Sequence, residues 1–436
     1  MPPMTHGNTG ASGVIAKSLF SDWPRRLNRE QLVTALDWII EYGIYLFAFM
    51  QFQSKGEAFR SIGLYAPLVA WLIKLCLVRD SGHRVSLGGI VFLVFTGSLL
   101  ISALLSIDHL AALRGFRKTV LKATILFFLI SQNFTTWEKL KRLGWVLACS
   151  GCIAVVAGFL NYFSGYTVGG GMAAFSTHRN GFASILGYLI PFIIACTVTA
   201  RVRVTKIFFG GFFVFSLVAM LLTISRGGWI SLSTSLGIWG IFLLRSRARL
   251  VLQGAAVVGV VVLMTISASP RAIIIRMANL QQDAYTLNKR VPERWIPALE
   301  AVKDRPLFGW GPAEVVAAQV FPTYYKKALA RDPEGPYIGM HSFYLTILFY
   351  GGFVALTIYL VFVSIFLIGL FRNLTKTVFW SERSVMIAVL SSFVAVYLVH
   401  GIVEGLLWWT PLGVILGFGE ACSKTRSERD YNMQPL

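Results

Sequence analysis

The chain has 436 residues, of which 56% are hydrophobic and only 14% charged, with a mean hydropathy of +0.66; soluble domains carry about a quarter charged residues. Apolar runs of about 20 residues recur from one end to the other. That excludes a soluble domain and predicts an all-α polytopic membrane protein, because backbone groups in lipid must be paired internally. The formal charge of +20 comes with no nucleic-acid motif, so it is assigned to cytoplasmic loops facing the anionic bilayer, and no nucleic acid is expected as a partner.

The first 30 residues are polar and contain Gly and Ser, with no apolar stretch before Gln31. No cleavable signal peptide is expected, and the first span directs insertion. Spans are predicted at roughly 32–53, 61–79, 86–107, 113–133, 142–164, 181–200, 206–224, 227–244, 249–268, 342–370, 380–401 and 403–421. The chain thus divides into a cytoplasmic arm (1–31), nine spans (32–268), a long and largely helical loop (269–341), three further spans (342–421) and a cytoplasmic tail (422–436). Cys149-Ser150-Gly151-Cys152 has redox spacing but sits in an apolar helix, where small residues serve helix packing. Neither a disulfide framework nor a zinc site follows.

Orientation comes from the cations of short loops. Lys139/Lys141/Arg142, Arg201/Arg203/Lys206, Arg245/Arg247/Arg249 and Arg372/Lys376/Arg383 fall on one side, with Lys17, Arg25, Arg26 and Arg29 of the arm and Lys424, Arg426 and Arg429 of the tail. Both termini are therefore expected in the cytoplasm and segment 269–341 in the periplasm or cell exterior. Asp37 and Glu41 share a face of the first span and are expected to neutralise Lys74 or other basic groups. His400 and Glu404 lie at the outer mouth of the last two spans, either as structural polar groups or bordering a cavity.

The cations left on the outer side are Arg60, Arg114, Arg117, Lys118, Arg179 and Arg226. Arg114, Lys118 and Lys122 are spaced i, i+4, i+8, which stripes one helix face. Lone lysines there would snorkel to headgroups; three on one face fit a polar cavity for an anion. Gly169-Gly170-Gly171 leads to Thr177-His178-Arg179-Asn180-Gly181, and Ser225-Arg226-Gly227 makes a hairpin so short that Arg226 sits at helix-end depth. In the long loop, Pro292 suits the first turn of a helix running to about Lys303, with Trp295, Leu299 and Val302 at helical spacing. Arg290 would precede that helix and Arg294 lie in its first turn. Guanidinium forks beside free helix N–H groups favour a phosphate, although surface arginines at a lipid headgroup give the same pattern.

His341 stands where the long loop re-enters the membrane. A histidine there is suited to act as a general base, and it equally suits an interfacial polar position. No outward Asp-x-Asp pair and no cluster with metal-ligand spacing is present, so chemistry without a metal or other cofactor is expected. Ser342 lacks a nucleophile elbow.

Taken together, Arg294-Trp295 with Ala298, Pro306-Leu307-Phe308-Gly309-Trp310-Gly311-Pro312, His341-Ser342-Phe343-Tyr344-Leu345 with Gly351, Arg179-Asn180 and Ser225-Arg226-Gly227 resemble the O-antigen ligase and polymerase superfamily of bacterial polyprenol-dependent glycosyltransferases. The resemblance covers most of the chain in architecture and implies a GT-C-like fold in the Gram-negative inner membrane. One large loop, with arginine early and histidine at its end, is similar to the ligase branch. The resemblance then implies transfer of a glycan from undecaprenyl diphosphate-linked O-antigen to lipid A–core oligosaccharide in the periplasm. It implies His341, Arg290 and Arg226 as catalytic, and Arg294, Arg179, Arg114, Arg117, Lys118 and Asn180 as substrate-binding. Serine follows the histidine where asparagine is common, a departure that leaves the base intact. Protein O-oligosaccharyltransferases and O-antigen polymerases are the sister alternatives. A transporter is the alternative from another class, but there is no clear half-to-half repeat and no long central cytoplasmic loop.

Overall fold

The computed structural model of the chain describes residues 29–78, 85–168, 170–175, 177–243, 291–324, 339–405 and 409–425. The span expected at 249–268, Arg290, and residues 269–290 and 325–338 of the long loop lie outside the described residues. Among those described, eight helices are long and apolar enough to cross a membrane.

Helices α1 (Arg29–Met50) and α2 (Glu57–Leu77) pack on each other and lead to α3 (Leu87–Leu104). The predicted span 113–133 is built in pieces: α4 (His109–Phe116), a π turn (Arg117–Leu121) and α5 (Lys122–Asn133). The i→i+5 turn inserts a residue, so the expected stripe of Arg114, Lys118 and Lys122 is out of register across it. Next come α6 (Trp137–Phe163), a hairpin of β1 (Thr167–Val168) and β2 (Gly171–Met172), α7 (Arg179–Thr199), α8 (Arg203–Leu222) and α9 (Arg226–Leu243). The helix predicted from Pro292 is present as a π turn (Val291–Trp295) continuing into α10 (Ile296–Asp304). α11 (Glu314–Tyr324), α12 (Phe343–Lys376), α13 (Trp380–Ser392), a π segment (Phe393–His400), the short α14 (Gly401–Val403) and α15 (Trp409–Lys424) complete the order.

The spans differ in what surrounds them. α7 has 94% of its most apolar window buried and stands at the centre, packed by α6, α8 and α13, whereas α2 has 22% buried and stands at the rim. Both are apolar, because lipid tails and protein cores select the same side chains; burial separates them. α15 reaches α5 through Gly413 and Gly417, a G-x-x-x-G pair. A Cβ there would lie 2.3 Å from the Ala123 carbonyl and 2.8 Å from that of Phe127. The carboxylates of α1 are paired as expected: Asp37 lies 2.5 Å from Lys74, and Glu41 lies 3.3 Å from both Lys139 and Arg142.

The segment 306–311 fixes the helix that follows His341. α12 is broken at Gly352, whose φ of 66° and ψ of −166° end the regular hydrogen-bond ladder. The broken ladder is repaired from outside: Trp310 N–H donates to Phe349 O at 2.8 Å and Gly311 N–H to Tyr350 O at 3.0 Å. In return, Phe353 N–H donates to Pro306 O at 2.8 Å and Val354 N–H to Leu307 O at 3.2 Å. Buried backbone groups in a membrane protein need such partners. The indole of Trp310 donates to Ala301 O at 2.7 Å, and the Arg305 guanidinium lies 4.6 Å from its ring centre. The Leu-Phe-Gly-Trp-Gly motif is therefore a latch that splices the loop into the bundle.

Candidate active site

Two helix N-termini and two chain turns meet at one end of the bundle. α7 is capped by His178, whose Nδ1 accepts from Gly181 N–H at 3.1 Å. Its Nε2 lies 3.8 Å from a carboxylate oxygen of Glu404. α9 starts from the tight hairpin at 223–225. There Ile224 has a φ of 52°, a strained conformation for a β-branched residue, and the Ser225 hydroxyl accepts from Gly228 N–H at 3.3 Å. Arg226 is thereby set at the first position of α9.

The π segment brings His400 and Glu404 against these starts. His400 is 1% exposed, and its Nδ1 lies 3.1 Å from Ser184 Oγ. Ser184 spends its own proton on Asn180 O at 3.0 Å, so His400 is the donor of that pair. The other edge of the ring rests on α9: a Cβ at Gly227 would lie 2.8 Å from His400 Nε2. Only glycine fits after Arg226, which gives the Ser-Arg-Gly spacing a physical cause.

His341 has a φ of 46° and precedes Ser342, the N-cap of α12. Its Nδ1 lies 3.6 Å from Glu404 Oε1, while Asn180 Nδ2 donates to Glu404 Oε2 at 3.2 Å. Glu404 is 5% exposed and lies just beyond the span Trp380–Val403. Burial pushes its carboxyl up, but the hydrogen bond and charge of His341, with the charges of His400 and His178, outweigh this and hold it below the ordinary glutamate range. An ionised carboxylate at Nδ1 keeps that nitrogen protonated and leaves Nε2 as the basic nitrogen of a partly exposed ring. The unit is a histidine–carboxylate pair of the kind that abstracts a proton from a hydroxyl.

The sequence-derived site residues fall into three groups. His341, Asn180, Arg179 and Arg226 belong to this end of the bundle. Arg294 joins them through Gly339, whose carbonyl accepts from its Nη1 at 3.0 Å, two residues before His341. Asn180 and Arg294, expected on substrate, thus grip the carboxylate and the chain that carry the histidine. Arg114, Arg117 and Lys118 are exposed beside the latch, since Gly115 packs on Pro312 and Ala313. Among the described residues, none of the three bonds to His341 or Glu404. Arg290 lies outside the described residues. Glu404, His178 and His400 were not among the assigned site residues. The available signal was an ionisable pair, His400 and Glu404, at i, i+4 in an apolar stretch. Among the described residues, no group of His, Cys, Asp and Glu has the arrangement of a metal site.

Residues 211–360 match the family model described as O-antigen ligase. The matched stretch includes Arg226, Arg290, Arg294, the latch and His341, but not Asn180 or Glu404. No curated protein matches the chain.

Proposed function

We propose, from the match of residues 211–360 to the family model described as O-antigen ligase, that the chain transfers a glycan from undecaprenyl diphosphate to lipid A–core oligosaccharide at the periplasmic face of the inner membrane. The observation that supports the reading most is the Glu404 carboxylate 3.6 Å from His341 Nδ1, at the end where α7 and α9 begin with Arg179 and Arg226. A base beside helix N-termini and guanidinium groups provides for both halves of a displacement at an anomeric carbon.

In this mechanism the lipid tail of the donor lies among the spans and its diphosphate meets Arg226, Arg179 and Arg290. His341 Nε2 takes the proton of an acceptor hydroxyl. The hydroxyl oxygen bonds to the anomeric carbon as the carbon–oxygen bond to the diphosphate breaks, and undecaprenyl diphosphate departs with both electrons of that bond. Direct displacement inverts the anomeric configuration. Arginine charge stabilises the leaving diphosphate without any need for a metal in the step. Arg294 and Asn180 act as positioning residues through Gly339 and Glu404.

The test uses purified chain in detergent with EDTA, a glycan–undecaprenyl diphosphate donor and lipid A–core acceptor, read by gel shift and mass spectrometry. Glycan should appear on lipid A–core, with inverted linkage, and His341→Ala should lower the rate by about 10²- to 10⁴-fold, the usual worth of a general base. Undiminished ligation by both His341→Ala and Arg290→Ala rejects the mechanism. Transfer to peptide or to a second lipid-linked glycan moves the chain to a sister activity of the superfamily.

A further inference from the structure

Beside the latch, α4 and the π turn that follows it present one exposed strip. Leu110, Arg114, Arg117, Lys118 and Leu121 are all exposed. Their spacing of i, i+4, i+7, i+8 and i+11 puts them on one helix face. Ala111, Ala112 and Phe116 are buried on the opposite side, and Gly115 is pressed against Pro312 and Ala313. The strip is therefore cationic in the middle and apolar at both ends.

Its charge is open. Arg114 Nε donates to Leu110 O at 3.3 Å within its own helix, and its charge reaches Asp108, the N-cap of α4. Asp108 is itself engaged, accepting from Ala111 N–H at 2.9 Å and from Gln319 at 3.4 Å. Among the described residues, Arg117 and Lys118 make neither an ion pair nor a side-chain hydrogen bond.

α12 marks the depth of the strip. The latch grips that helix at Phe349 and Tyr350, about 9 Å along it from Phe343. No residue from Phe343 to Gly352 is exposed, whereas Phe353, Leu360, Val361 and Ile368 are exposed apolar groups, as on a span that faces lipid. The strip thus stands where α12 passes from protein contacts to lipid, inward of His341 and at the depth of headgroups. A soluble anion there would leave Leu110 and Leu121 uncovered, and an uncharged lipid would leave the cations unmatched. A lipid with more than one phosphate suits three cations better than a headgroup with one. If it also carries sugars, they extend outward, toward His341.

We propose that Arg114, Arg117 and Lys118 bind the phosphates of a membrane glycolipid, the lipid A end of the acceptor, with its acyl chains against Leu110 and Leu121. The identity of the glycolipid rests on the ligation reading. These cations then serve the acceptor, while the donor diphosphate belongs to the arginines near His341.

The experiment is microscale thermophoresis of the purified full chain in detergent, titrated separately with lipid A–core, its dephosphorylated form and phosphatidylglycerol. Wild type should bind lipid A–core more tightly than either of the others. The double variant Arg117→Gln, Lys118→Gln should weaken binding of lipid A–core by about 30-fold, from about 1 kcal/mol for each basic residue at an anionic headgroup. Equal binding of the phosphorylated and dephosphorylated forms, or undiminished binding by the double variant, overturns the proposal. Phosphatidylglycerol bound as tightly as lipid A–core reduces the strip to a general headgroup contact and overturns it too. Should the double variant not fold, wild type still decides. Its affinity for lipid A–core should fall as sodium chloride rises from about 0.1 to 0.5 M, with the dephosphorylated form unaffected, and salt-independent binding rejects the site. Binding is read without turnover. Phosphate-dependent binding in a chain that ligates nothing would reject the ligation reading and leave this site standing.

Discussion

Glu404 is the residue on which the proposed base depends. It has no hydroxyl or amine to offer a substrate, and its carboxylate is turned to His341, His178 and Asn180. Its expected effect is to fix the imidazole's tautomer and stabilise the imidazolium, so Glu404→Gln should cut turnover by about 100-fold or more with little change in KM. An equal rate for the two proteins would sink that role. Its pKa carries a second expectation. The folded value is depressed, so the group contributes stability above its unfolded value, near 4.3 for a free glutamate, which is lost as pH falls through that range toward the folded value. Melting temperature in detergent should fall between about pH 5 and 3 in the wild type, and Glu404→Gln should lack that part of the slope. The sequence showed His341 because a histidine at a loop-to-span junction stands out. It could not show which carboxylate serves it, since Glu404 arrives through the break after the π segment, a tertiary contact with no sequence spacing to announce it.

At the scale of the element, the resemblance motifs separate into those that touch the site and one that builds the frame. Pro306-Leu307-Phe308-Gly309-Trp310-Gly311-Pro312 spends its backbone on α12 and its indole on Ala301. The sequence made the loop visible as a motif but gave no way to know that it repairs a broken helix, because Gly351-Gly352 within a long apolar run is also compatible with a continuous span. Gly352 is the sensitive point. A Cβ there would lie 2.2 Å from Leu307 O at a φ of 66°. Gly352→Ala should therefore destabilise the protein by about 2 kcal/mol or more, from backbone strain and loss of the paired carbonyls. It is checked by thermal unfolding followed by fluorescence-detected size-exclusion. A melting temperature within one degree of wild type would remove the latch as a structural requirement. The two-piece span with its π turn was similarly invisible, as hydropathy does not distinguish i→i+4 from i→i+5 bonding.

For the whole molecule the decisive property is its polarity along the membrane normal. α6 starts beside Lys139, Lys141 and Arg142. The turn between α7 and α8 holds Arg201, α8 begins at Arg203, and α12 ends at Lys376 just before α13 begins. These ends lie together, and the His341–Glu404 pair lies at the other. Basic loops favour the cytoplasm, so the same asymmetry that was legible in the sequence predicts a candidate site that faces the periplasm, where the donor glycan and lipid A–core of the proposed reaction would meet. Single-cysteine accessibility tests the prediction directly, in a background with the five native cysteines replaced. Lys303→Cys on α10 and Lys376→Cys at the end of α12 are exposed and far from the proposed chemistry. A membrane-impermeant maleimide added to intact spheroplasts should label Lys303→Cys, and should label Lys376→Cys only after the membrane is broken. The reverse pattern would put His341 in the cytoplasm, away from lipid A–core after its export, and ligation could not be this protein's reaction whatever its family.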